Sequence, residues 1–291
     1  NGTGINLGAW YTGGNLNTSR AQLAGFGTQT AAIAVGGGGS VTNTEAYNGT
    51  AWGEINDLTT GRRQLAGAGT STAGLAFGGE NPGGAQLDIN ELWNGYVWTE
   101  VNDLNTARRE LGGTGTSTAA LAAGGQGAAP GVGYLNVAET WNGTNWTEVN
   151  DLNTTRGALV AVGTTPAALA FGGQNPTPVS AANTELWNGT NWTEVNDLNV
   201  ARGNLAGSGT STAALAFGGV SVPPPGGATQ SATELWNGTN WINESNLSSA
   251  RDQLAGDGTQ TAAIAFGGNP AGTATEEWYG NGKLTETFTT S

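Results

Sequence analysis

Six copies of one unit run through this chain, and their fixed internal spacing limits what it can fold into. A tryptophan stands at Trp10, Trp52, Trp98, Trp146, Trp192 and Trp241, and ten residues after each comes an arginine: Arg20, Arg62, Arg108, Arg156, Arg202 and Arg251. Sixteen residues after each arginine a Gly-Gly pair begins, at Gly36, Gly78, Gly124, Gly172, Gly218 and Gly267. The unit is 42 to 49 residues long, and nearly all of its variation in length falls after the Gly-Gly pair. Self-similarity at such a period marks a tandem architecture, in which no single unit buries its apolar face alone.

Each copy reads as four strands. A short stretch rich in small residues, such as LAGSG at 205–209, precedes a Gly-Thr turn and the apolar run TAALAFGG. After a variable spacer comes TELW, rich in strand formers. Asn-Gly, as at Asn188-Gly189, reverses the chain because both residues accept positive φ. NWTEVNDL is the fourth strand. No segment carries a helical apolar period. Four-stranded units of this length in tandem predict an all-β chain, a six-bladed β-propeller with four antiparallel strands per blade. Glycine and alanine suit inner strands converging on an axis, while tryptophan fills the wider gaps further out.

The ends supply a separate constraint. The last copy lacks a proper fourth strand: Lys283 stands where the others have tryptophan. The stretch AWYTGGNLNTSR at 9–20 aligns without gaps to NWTEVNDLNVAR at 191–202. The N-terminal strand is therefore expected to complete the last blade and close the ring. Blades are expected at approximately 20–58, 62–104, 108–152, 156–198, 202–247 and 251–282, the last completed by 9–16, within one propeller domain spanning 1–291. Residues 283–291 are read as a tail or a lead into a further domain. A first residue Asn1, with no initiator methionine, is read as a processed form or part of something longer.

Composition narrows the function classes. The formal charge of −13 opposes nucleic acid phosphates and anionic membranes, and no apolar run is long enough for a spanning helix. Cysteine and histidine are absent, so thiolate and imidazole metal sites cannot be built and only oxygen ligands remain.

Gly-Gly after an apolar strand, a Glu-x-aromatic strand, a downstream tryptophan, then leucine and arginine together resemble the kelch repeat over residues 9–282. The wording LAGxGTxTAALAFGG with TELWNGTNWTE is similar, more narrowly, to kelch-like repeats in virion and tail-fibre proteins of marine bacteriophages. The resemblance implies a virion or extracellular setting, with other virion or surface proteins, or a host glycan, as partners.

Two residue sets recur and are read as structural. Each arginine has a matching glutamate, Glu45, Glu91, Glu139, Glu185, Glu234 or Glu276, which suggests one buried pair per blade. The tryptophans are read as inter-blade filler, Trp10 included. A second acidic set, Glu54, Glu100, Glu148 and Glu194 with Asp57, Asp103, Asp151 and Asp197, offers oxygen ligands to calcium. Aspartate beside asparagine also serves turns, and that reading takes precedence. No cofactor is expected.

Ligand candidates are sought where the repeat relaxes. The long spacers 80–90, 126–138, 174–183 and 220–232 share one face of an up-and-down blade, and loops on a rigid scaffold are the usual place for recognition. Within or near them stand Asp88, Tyr134, Asn175 and Val222; Tyr96, in a hairpin turn, is the other off-repeat aromatic.

Enzyme chemistry lacks parts. The copper oxidation known in some kelch propellers needs histidine and a cysteine-modified tyrosine, and a Ser-His nucleophile needs histidine. The S-x-D-x-G-x-x-W turn of sialidase-like propellers is missing. A carboxylate-pair glycosidase is left, with Asp88, Asp252 and Asp257 as the acids that depart from the repeat. The sequence favours a non-catalytic adhesion module that recognises a host glycan or protein. A structural spacer of a larger fibre or surface layer comes second, and a glycan hydrolase third.

Overall fold

The computed structural model describes residues 8–127, 133–177, 179–222 and 227–280. Six sheets stand around one axis. The first blade holds Ala24–Thr28, Ala31–Val35, Thr44–Tyr47 and Trp52–Glu54, paired in that order. The other blades repeat this antiparallel order, with first strands at Ala66–Thr70, Gly112–Thr116, Val160–Thr164, Ala206–Thr210 and Ala255–Gly258. Each first strand lies against those of both neighbouring blades, so the six form a closed inner ring.

The ring closes through the N-terminus. Ala9–Thr12 pairs antiparallel with Thr275–Tyr279, bringing Trp10 opposite Trp278 and Thr12 opposite Glu276. Trp10 then does what Trp52 and Trp241 do in their blades. Its indole donates to Thr233 Oγ1 on the fifth blade at 3.0 Å and packs edge-on against Phe217 at 4.9 Å. This seam departs from the repeat in two matched places. Glu277 replaces the usual leucine and Tyr47 replaces the usual tryptophan, and the Tyr47 hydroxyl donates to Glu277 Oε1 at 2.6 Å. The Tyr279 hydroxyl donates to the other oxygen at 2.8 Å. Burial and the neighbouring carboxylate push both phenols up to about 12.

Each blade is buckled by its arginine. Arg156 is fully buried; Nη1 donates to the carbonyls of Gly172 and Asn183 at 2.8 and 2.5 Å, and Nη2 to Glu185 at 3.1 Å. The other oxygen of Glu185 accepts the backbone N–H of Asn153, in the connection from the preceding blade, at 2.7 Å. The pattern recurs at Arg20–Glu45, Arg62–Glu91, Arg108–Glu139, Arg202–Glu234 and Arg251–Glu276. Burial pulls Arg62, Arg108 and Arg202 down to about 10, which leaves them charged at neutral pH. Among the described residues the Nε–H of each repeat arginine is buried without a hydrogen-bond partner, so the pair is held by its Nη and carboxylate bonds, and removing one partner strands the other charge.

Between blades, the phenylalanine that ends one second strand presses on the first strand of the next. A Cβ added at Gly207 would lie 2.6 Å from Phe171 Cζ, and one at Gly256 would lie 2.5 Å from Phe217 Cζ. The fourth blade has Ala161 at this position, and the preceding blade ends its strand in Ala123 rather than phenylalanine. Large and small have been exchanged across one seam. We expect Gly207→Ala to destabilise the protein by about 1–3 kcal/mol through overpacking. The reverse change, Ala161→Gly, should cost under about 1 kcal/mol. Urea denaturation of both variants checks this: equal losses would remove Phe171 as the cause.

Candidate functional site

The axial mouth is built by the residue two after each repeat arginine. Gln22, Gln64, Glu110, Ala158, Asn204 and Gln253 all hold left-handed backbone, with φ between 52° and 61°. None is glycine, and such a conformation costs an L-residue roughly 1–2 kcal/mol. What holds it is a closed circle of backbone hydrogen bonds. Gln22 N–H donates to Gln253, Gln64 to Gln22, Glu110 to Gln64, Ala158 to Glu110, Asn204 to Ala158 and Gln253 to Asn204, at 2.8–2.9 Å. The six side chains rim a cup of about 90 Å³ whose floor is Leu23, Leu65, Leu111, Leu159, Leu205 and Leu254.

Around this rim lies a second circle, in which the residue after each arginine meets the residue after the Gly-Gly pair. These contacts are Arg63–Glu80, Arg109–Gln126, Gly157–Gln174, Gly203–Val220 and Asp252–Asn269. Charge gathers on one side. Glu80 is 1% exposed, and its carboxylate is held by Arg63 of its own blade and by Arg109 of the next. Arg109 Nε also donates to Gln126 Oε1 at 2.8 Å. Gln64 Nε2 donates to Glu110 Oε1 at 2.6 Å. Burial pushes the Glu110 carboxyl up, opposed by Arg109 and Gln64. Tyr134 lies over Gly157, where an added Cβ would meet its ring at 2.4 Å, and its hydroxyl donates to Gln174 Oε1 at 2.8 Å. On the opposite side, the amides of Gln22, Asn204 and Gln253 are half-buried and have no hydrogen-bond partner among the described residues.

Below the leucines the axis widens again. A cavity of about 120 Å³ is lined mainly by glycines of the inner strands, with Asp257 as its one ionisable group. Asp257 is partly open to this cavity, but six strands enclose it and no arginine reaches it. Its oxygens accept the N–H of Gly27 at 2.8 Å and of Gly258 at 2.6 Å. Burial outweighs those bonds and pushes the carboxyl up to about 7.

The ligand candidates from the sequence fall in different places. Tyr134 stands in the second circle beside the cup. Asn175 follows Gln174, and its Oδ1 is taken up by Thr177 and Val179 of its own loop. Val222 is tied to the neighbouring blade's loop through Ser180, whose hydroxyl accepts its N–H at 2.8 Å. Asp88 lies further out, its carbonyl accepting Leu104 N–H at 3.0 Å. Tyr96 does not join them: at 79% exposed, it tips a third-to-fourth-strand turn on the opposite face. The acids considered for calcium are exposed, and Asp57, Asp103, Asp151 and Asp197 each accept a backbone N–H of a third strand, at 3.1–3.4 Å. Among the described residues no three Asp or Glu side chains converge to hold a metal ion.

Sequence reasoning missed Arg63, Arg109, Glu80 and Glu110. A signal was present: of nine basic residues only Arg63, Arg109 and Lys283 are not the repeat arginine.

An all-β ring of six four-stranded blades defines a six-bladed β-propeller. The solved structure of YjhT superposes on this chain with a TM-score of 0.78 at 11% sequence identity, covering 91% of this chain and 95% of that one. At that identity the likeness concerns the fold alone. No family model matches the chain, and no curated protein matches it.

Asp257 gives a signed pH dependence. A carboxyl raised in the folded state binds a proton that the unfolded chain releases above about 4, so stability should fall as pH rises from about 4 to about 7 and level off beyond. Its contribution to the slope is at most about 1.4 kcal/mol per pH unit. Asp257→Asn should flatten the stability–pH curve in that window relative to the parent. Parallel curves in denaturant titrations across pH would show that Asp257 is ionised as freely as an exposed acid.

Proposed function

We propose that this propeller is a non-catalytic, kelch-like recognition module, carried on a virion appendage or another extracellular surface, that captures a host glycan or protein through the face bearing its variable loops. One observation carries the reading: polar departures from the repeat gather around the axis on that single face. Arg63, Glu80, Arg109, Glu110, Gln126 and Tyr134 all stand there, on a scaffold otherwise close to six-fold. The loops also brace one another. Ser40 Oγ donates to the Glu80 carbonyl at 3.1 Å, and Ser180 Oγ to the Val220 carbonyl at 2.9 Å. Pre-organised loops lose less entropy on binding. The wording of the repeat supports a phage setting.

A structural spacer is the second reading, and the opposite face favours it. There the hairpin turns of Asn48, Asn94, Asn142, Asn188 and Asn237 repeat one geometry, each Oδ1 accepting two backbone N–H groups. Hydrolysis draws no support from the off-repeat acids. Asp252 stands opposite Asn269 in the circle around the cup, Asp257 lines the cavity below the leucines, and Asp88 is peripheral.

Replacing loops 126–138 and 220–232 with the short spacer of the first blade should abolish attachment to host cells or to a glycan array while leaving the thermal transition in place. Undiminished attachment would sink the recognition reading. Tight association with a neighbouring virion protein, and no attachment even by the parent, would favour the spacer.

A further inference from the structure

The axial cup divides into two unlike halves. Across the fifth, sixth and first blades runs an arc of three amides, Asn204, Gln253 and Gln22, half-buried and without protein partners. Facing them, Gln64 and Glu110 are bonded to each other, and Arg109 reaches Gln64 Oε1 at 3.3 Å. Between the halves, on the fourth blade, Ala158 leaves a notch where every other blade places a longer polar side chain. The ring of Tyr134 lies over Gly157, the residue beside that notch. Six leucines make the floor.

We propose that this cup receives the end of a neutral sugar chain, one pyranose ring entering at the Ala158 notch. The inference rests on the recognition reading above and names its ligand. An amide presents a donor and an acceptor side by side, which matches a hydroxyl that does the same. The leucines below suit the C–H face of a sugar, and a few placed polar groups over an apolar floor are what a small-ligand site requires. The three amides are unbonded within the protein and open to solvent, so their water can be exchanged for sugar hydroxyls.

The alternatives fit less well. An acidic ligand would find Arg63 and Arg109 already shared by Glu80, with Glu110 next to them, on a chain of formal charge −13. An extended peptide or an internal stretch of polysaccharide would have to leave on two sides, yet the circle of six residues surrounds the cup and the leucines narrow it below. Only a chain end or a single-residue branch can enter along the axis.

The test uses the whole protein and four probes: methyl glucoside, methyl galactoside, methyl mannoside and methyl N-acetylglucosaminide, with methyl glucuronide as the acidic comparison. Saturation-transfer NMR and titration calorimetry read binding. At least one neutral glycoside should bind with millimolar or better affinity, and the glucuronide should bind no better than the glucoside. Asn204→Ala with Gln253→Ala should weaken binding roughly ten-fold or more. Ala158→Gln, which fills the notch with the residue three other blades carry there, should do the same with an unchanged thermal transition. Binding by none of the four at tens of millimolar, preference for the glucuronide, or affinity indifferent to both variants would overturn the proposal. If the sugars fail while the loop replacements still abolish attachment, the cup assignment falls and the recognition reading stands. If the loop replacements also change nothing, both fall.

Discussion

Everything near the axis depends on one circle of six backbone hydrogen bonds, each N–H donating to the equivalent carbonyl on the preceding blade. Along the axis the inner strands enclose cavities, with only a ring of leucines between them, in place of a packed core of side chains. These six bonds join each blade to the next where side-chain packing is thinnest. Making them requires left-handed backbone at six residues, none of them glycine. The conformational cost is met by the circle itself, in which every one of the six residues both donates and accepts a bond. The strain also has a geometric consequence. Six side chains point around the axis at the rim, where a ligand can reach them.

Further out, the seams are held by complementary departures from symmetry. Phenylalanine faces glycine at most of them, and at one seam Ala123 faces Ala161 instead. At the closing seam Tyr47 and Glu277 replace the usual tryptophan and leucine together, forming a polar contact between the first blade and the sheet that the N-terminal strand completes. Each blade can therefore vary only in step with its neighbour. The loops after the Gly-Gly pair escape that rule, and Glu80, Gln126 and Tyr134 stand in them.

The sequence carried the architecture plainly. Invariant spacing of tryptophan, arginine and Gly-Gly imposes one blade per unit, and the missing last strand matched to a spare first one specifies how the ring closes. The site was less legible. Left-handed backbone is usually announced by glycine, and Gln22, Gln64, Glu110, Ala158, Asn204 and Gln253 give no such sign. Glu80 looks like an ordinary loop acid in sequence, yet two arginines from different blades bury it, a fact that only three-dimensional adjacency supplies. Tyr96 looked like a ligand residue because it breaks the repeat, but it sits in a third-to-fourth-strand turn and so on the far face. Departure from the repeat marks a candidate; strand direction decides which face it serves.

The account stands on the axial circle being closed and on its holding the cup rigid. Native-state hydrogen exchange of the six amides at Gln22, Gln64, Glu110, Ala158, Asn204 and Gln253 tests this most directly. Amides bonded in a closed ring should exchange only through global unfolding, with protection close to the full stability of the protein and similar at all six. Exchange at the rate of an open loop, above all at Gln22, where the sixth blade meets the first, would mean that the ring is not closed at its axis and that the cup has no fixed shape.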